Sequence, residues 1–106
     1  GTGTKNNDLS EGKAIERLFG GSIPPCSSTK SFTGHTLGAA GSIEAVLCVL
    51  ALRNQWIYPN LSFKQQMADL SFSPVTAFQY NIPVRNVMSN SFGFGGNNTS
   101  LIFSRN

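Results

Sequence analysis

Charge is what this sequence has least of. Asp, Glu, Lys and Arg make up 12% of its 106 residues, about half the usual share of ~25%. A chain so poor in charge has little polar surface, and much of it is expected to be covered by something else. The eight basic residues are spread singly, and the net charge of +3 gathers into no stripe. That excludes the footprint of a nucleic-acid binder and leaves a mild preference for an acidic partner. Cysteine is nearly as scarce. Cys26 and Cys48 are too few for a disulfide scaffold and lack metal-site spacing, and Cys48 reads as a small apolar residue of the core. No signal peptide is visible. The longest apolar stretch, 36–52, holds Gly38, Gly41, Ser42 and Glu44 and is expected to be too short and too interrupted to span a bilayer. No membrane association and a cytoplasmic location are therefore expected. The chain also opens on Gly1 rather than Met, within the turn-like "GTGT", which reads as a fragment of a longer protein.

What is present is punctuated clearly. Residues 8–21, "DLSEGKAIERLFGG", form an expected helix: Asp8 and Glu11 resemble a capping box, Ile15, Leu18 and Phe19 make one apolar face, and Gly20-Gly21 stop it. Pro24 and Pro25 keep the next piece, "SIPPCSSTK", extended. A second helix is expected over about 36–53, with apolar residues all round its axis, as in a helix buried on every side. Two short β-prone pieces, "QWIYPNLSF" and "LSFSPVTAF", are broken by Pro59 and Pro74. Strands over roughly 86–92 and 99–104 close the chain around a glycine-rich turn. Helix, strand, helix, strands suggests an α/β arrangement.

Three chemistry-bearing residues stand in "STKSFTGHTLGAAGSIEAVLCVLAL", residues 28–52. Glu44 is the one charge between His35 and Arg53, and a carboxylate in a buried helix needs a partner. Lys30 is the nearest cation in sequence. His35 precedes the helix's first turn, where the positive end of the dipole disfavours imidazolium. A neutral imidazole there can donate to a developing oxyanion. A satisfied structural network of Lys30, His35 and Glu44 remains an equally open reading. In "SNSFGFGGNN", residues 89–98, Gly93, Gly95 and Gly96 flank Phe94, so backbone N–H groups can be offered to an oxyanion while the ring acts as a door. A plain hairpin turn is the alternative. Thr2 and Thr4 place two hydroxyls on a flexible turn.

"GTGT" followed by "ND", then "SSTKSFTGHTLGAAGSIEA", then "NSFGFGGNN" resemble, in that order, the last quarter of the β-ketoacyl-acyl carrier protein synthases. The likeness is to the elongating I/II type and to polyketide ketosynthase domains. It implies an α/β C-terminal half of a thiolase-like fold, with a mixed sheet packed against a buried helix, and decarboxylative Claisen condensation with malonyl-acyl carrier protein in fatty acid biosynthesis. It implies that residues 1–106 belong to the C-terminal domain, and that the half carrying the nucleophilic cysteine lies outside them. His35 looks like an active-site histidine donating to the malonyl thioester carbonyl, Lys30 like the lysine supporting it, and Glu44 like the carboxylate bonded to Lys30. Phe94 looks like the gate residue whose N–H, between Gly93 and Gly95, helps form the oxyanion hole. Thr2 and Thr4 look like the hydroxyls that hold a phosphopantetheine arm. The implied partners are acyl carrier protein and a second copy in a homodimer; no metal or cofactor of the enzyme's own is implied. The family's first active-site histidine immediately precedes "GTGT", so the fragment alone is expected to be inactive. The family's usual "GGTN" is Gly95-Gly96-Asn97-Asn98 here. A polyketide ketosynthase, a chain-length-factor or decarboxylase-like relative, and a noncatalytic carrier-binding domain remain alternatives.

Overall fold

The structure, a computed structural model, describes residues 1–106. The elements are α1 (Lys5–Phe19), a single-turn α2 (Lys30–Thr33), a 3-10 turn (Leu37–Ala39), α3 (Ala40–Asn54), and strands β1 (Asn86–Phe92) and β2 (Asn98–Ser104). They fall into two compact units, one made of Gly1–His35 and Tyr58–Phe78, the other of Thr36–Ile57 and Gln79–Asn106.

In the first unit α1 begins earlier than its sequence pattern suggests. Thr4 is extended, at φ −99° and ψ 130°, and precedes the helix; Asp8 lies within the first turn and is not the cap. The Asp8 N–H donates to the Thr4 carbonyl at 3.0 Å, so Lys5–Asn7 are already helical. Gly20, at φ +59°, ends the helix as expected and donates its N–H to Glu16 O at 2.9 Å, a conformation open to glycine. Gly12 is the helix's one buried residue; a β-carbon there would fall 2.6 Å from Leu70 Cδ1, so glycine is what lets Leu70 close over the helix. Ile15 and Phe19 are half-buried, but Leu18 is 69% exposed and does not join their face. Glu16 accepts from both the N–H and the hydroxyl of Ser71, and the Ser71 hydroxyl, then its amide, holds that carboxyl below the usual range.

The β-prone pieces around Pro59 and Pro74 form no strands. They are joined by single bonds, Val75 N–H to Cys26 O at 2.8 Å and Asn60 N–H to Val75 O at 2.7 Å. Four prolines in these pieces and in "SIPPCSSTK" remove the donors a continuous ladder needs. Farther along, Ile57 and Gln79 form one isolated bridge within the second unit.

In the second unit, β1 and β2 pair antiparallel from Asn86↔Ser104 to Phe92↔Asn98, close to the expected bounds. The sheet is this two-stranded hairpin and not a mixed one. The α3 helix lies along it. A β-carbon at Gly41 would stand 3.5 Å from Ser91 Oγ, the Cys48 thiol bonds to Ser89, and Gln55 meets Val84 just before β1. These contacts use positions seven residues apart, the spacing of one helix face. Gln55 clamps its end. Its side-chain amide donates to Leu52 O and Val84 O, both at 2.8 Å, and its Oε1 accepts the Val84 N–H at 3.1 Å.

The expectation of a helix covered on all sides is not met. Only Ala51 and Leu52 are buried, while Val46 is 60% exposed and Val49 and Leu50 are open beside it. A two-stranded hairpin can cover one face of a helix and no more. Leu37–Asn54, 18 residues at mean hydropathy 1.4, also reaches the length and composition of a membrane span, contrary to the expectation; the 3-10 turn extends the apolar run. Glu44 lies within it, and one face of it is laid on the hairpin.

Two outcomes follow. Gln55→Ala removes three hydrogen bonds, each worth ~1 kcal/mol net, and is expected to destabilise the protein by about 2–3 kcal/mol, read as a lower urea midpoint at constant slope. The 106-residue chain alone should enhance the fluorescence of a hydrophobic dye and self-associate through the open side of α3; a dye-silent monomer would contradict this.

Candidate functional site

The structure brings the first-unit candidates into two groups. Thr2 and Thr4 join through their hydroxyls, 3.0 Å apart. The Thr4 side chain therefore faces its neighbour instead of capping α1, and both residues are exposed. Lys30 and His35 stand at the two ends of α2. The Gly34 N–H donates to Lys30 O at 2.8 Å, and Gly34, at φ +72° and ψ 173°, turns the chain out of the helix. His35 follows that turn and is exposed, while Lys30 is half-buried. "STKSFTGH" thus folds as one helical turn ended by glycine, with the lysine at its start and the histidine just past its end.

The remaining candidates belong to the second unit. Glu44 lies in α3, one turn after Gly41. It is half-buried, and no charged side chain is fully buried, so the desolvation that made it look obligately paired is weaker than its sequence context implies. Gly93, Phe94 and Gly95 form the β1–β2 turn. That turn is closed by its own backbone: Gly93 N–H donates to Asn97 O at 2.7 Å and Gly96 N–H to Gly93 O at 3.2 Å. Gly95 and Gly96 both sit at φ +87°, where a side chain would be strained. The Phe94 ring is 98% exposed at the tip, and its amide makes no hydrogen bond within the chain. An available donor beside a projecting ring is what an oxyanion-binding gate requires.

Neither cysteine is prepared as a nucleophile. Burial pushes both thiols up, and Cys26 donates to Pro24 O at 3.1 Å. For Cys48 the Ser89 bond acts the other way but does not cancel burial. No group of three or more His, Cys, Asp or Glu is placed to hold a metal. A cleft of about 520 Å³ opens between α3 and β2, lined by Val49, Leu52, Arg53, Ile102 and Phe103; none of the candidates lines it. The sequence offered no signal for one feature next to His35, a left-handed backbone at Leu37 (φ +50°), because leucine does not mark such positions.

The family model for the β-ketoacyl synthase C-terminal domain matches residues 1–64, the span that holds Thr2, Thr4, Lys30, His35 and Glu44. The chain belongs to the β-ketoacyl synthase family. The 3-oxoacyl-[acyl-carrier-protein] synthase 1 of Haemophilus influenzae is 47% identical over 106 residues, 99% of this chain and 26% of the relative. Among solved structures, the ishigamide ketosynthase/chain length factor superposes with a TM-score of 0.92 at 36% identity, covering 98% of this chain and 26% of that one. A type II polyketide ketosynthase in complex with its acyl-carrier protein gives 0.88 at 29% identity, over 95% and 25% of the two chains. The fold is thus that of the thiolase-like ketosynthases, and this chain spans about a quarter of the length of the curated synthase it matches.

In this synthase-family chain, the thiols of Cys26 and Cys48 should alkylate with iodoacetamide more slowly than an exposed thiol at neutral pH. Their rates should keep rising with pH beyond the ordinary cysteine value of ~8.5. Fast labelling of either at pH 7 would contradict the placement of that thiol.

Proposed function

We propose that this chain is the C-terminal part of a 3-oxoacyl-[acyl-carrier-protein] synthase, an acyltransferase of fatty acid biosynthesis. The observation that carries the reading is the α2 turn, with Lys30 and His35 at its two ends inside the span matching the family's C-terminal domain. Curated 3-oxoacyl-[acyl-carrier-protein] synthases among the relatives support the reaction class. In this reading the nucleophilic cysteine and a further histidine come from the rest of the protein, which agrees with the raised thiols of Cys26 and Cys48.

The chemistry begins with an acyl group moving from acyl carrier protein onto that cysteine. Malonyl-carrier protein then loses carbon dioxide: the bond to the carboxylate carbon breaks, and its electron pair becomes a thioester enolate. The enolate carbon attacks the cysteine-bound acyl carbonyl, and the C–S bond breaks to return the thiolate. His35 donates to the malonyl thioester oxygen as negative charge develops there, usually a large share of such catalysis. Lys30 supports His35 and the transfer step. The roles of Glu44, as the carboxylate serving that lysine, and of Phe94, as the gate with an oxyanion-binding N–H between Gly93 and Gly95, come from the family resemblance. So do those of Thr2 and Thr4, as hydroxyls for the phosphopantetheine arm.

The reading takes the parent to be a cytoplasmic homodimer using acyl carrier protein and needing no metal or cofactor of its own. For the carrier, the support is the related ketosynthase solved with its own acyl-carrier protein; for the rest it is family membership. A second reading, a chain-length-factor-like relative, is favoured by one observation, the superposition on the ishigamide ketosynthase/chain length factor.

The test uses the full-length protein with acyl- and malonyl-carrier protein, following carbon dioxide and ketoacyl product together. His35→Ala should lower condensation by ~10²–10³-fold, the usual effect of removing one oxyanion donor. Carbon dioxide without product points to the chain-length-factor or decarboxylase-like reading. Neither signal leaves a carrier-binding domain.

A further inference from the structure

We infer that residues 66–73 form a strap that lifts from α1 and reseats on it as one unit. Its two attachments, Leu70 over Gly12 and Ser71 on Glu16, make and break together. The inference concerns the first unit alone and does not depend on the reaction proposed above.

The strap is closed on itself. The Ser73 hydroxyl donates to Gln66 Oε1 at 2.7 Å, and the amide nitrogen of the same side chain donates to Leu70 O. Leu70 N–H in turn donates to Met67 O at 3.1 Å. One glutamine thus holds both the end of the loop and its middle. A short loop with its ends joined and its interior bonded to its own side chains moves as a compact body. Its base is fixed outside the strap, where Asn60 N–H donates to Val75 O at 2.7 Å and Val75 N–H to Cys26 O at 2.8 Å.

Two contacts seat this body on α1. Leu70 covers Gly12, the one buried residue of the helix; a β-carbon at position 12 would fall 2.6 Å from Leu70 Cδ1. Glu16 accepts the Ser71 hydroxyl at 2.6 Å and also the Ser71 N–H. The Ser71 hydroxyl, then its amide, keep that carboxyl ionised, so the attachment is charge-assisted. Positions 12 and 16 are one turn apart on a single helix face, and Leu70 and Ser71 are consecutive in the strap. Seating either residue therefore places the other at its partner, which makes the second contact an intramolecular event of high effective concentration. Lifting the strap opens both and uncovers the glycine surface of α1.

Hydrogen exchange of the Ser71 amide in the full-length protein reads the latch, because that N–H is bonded to Glu16. Leu70→Ala removes no partner of this bond, yet it should speed Ser71 exchange about tenfold or more, with the Gly20 amide at the end of α1 within about twofold of native. Gly12→Ala displaces Leu70 while favouring the helix, and should give the same split; it decides the matter if Leu70→Ala fails to fold. Glu16→Gln should speed Ser71 exchange strongly in the native protein and much less in the Gly12→Ala background, the mark of coupled contacts. Ser71 exchange that answers to Glu16→Gln but not to Leu70→Ala or Gly12→Ala would show two independent contacts and overturn the inference. So would a Ser71 amide unprotected in the native protein, or a parallel rise at Gly20 in the Gly12→Ala variant, the behaviour of general unfolding.

Discussion

The second unit depends on the close approach of α3 to β1. Gly41 stands beside Ser91 and Cys48 bonds to Ser89, with Gln55 fastening the end. The alignment carries the first turn of α3 to the end of β1 at Ser91, one residue before the strand's last pair and the glycine turn that carries Phe94. A β-carbon at position 41 would meet the Ser91 hydroxyl at 3.5 Å, an ordinary van der Waals contact.

The first unit works by a different constraint. Its extended segments, interrupted by proline, are tied by single backbone bonds and by side chains such as Asn60, which accepts the Ser28 N–H at 3.1 Å, and Ser31, which accepts the Leu61 N–H at 3.2 Å. This is a scaffold of scattered polar ties around α1 and α2 rather than a sheet. Within it the one buried glycine, Gly12, lets Leu70 pack on α1. Lys30 begins a helix of only four residues, and His35 follows the Gly34 turn that ends it.

Sequence legibility divided along physical lines. The hairpin was readable because β-prone runs flanking a glycine cluster leave few alternatives, and its observed bounds differ by a single residue at one end. The end of α1 was readable because Gly20 has one good explanation. Its start was not: Asp8 and Glu11 fit a capping pattern, but Thr4 was already extended and its carbonyl took the first helical bond. Burial was misjudged where composition stood in for environment. An all-round apolar helix implies cover, yet these residues supply it on one face only, which leaves Val46 open and Glu44 half-buried. Family membership was legible from motif order, and the individual residue roles rest on that resemblance. The dihedral angle at Leu37 had no signature at all.

Position 55 illustrates how two demands can meet in one residue. Its backbone is left-handed, at φ +59°, which favours glycine or asparagine. Its side chain must reach across to Val84 and offer both a donor and an acceptor, which glycine cannot do and asparagine is one methylene too short to do. The residue that suits the backbone fails the clamp, and the residue that makes the clamp is disfavoured by the backbone. Such a site has almost no neutral neighbours in sequence space. A half-exposed polar residue at a helix end should therefore drift among homologues as slowly as a residue of the core.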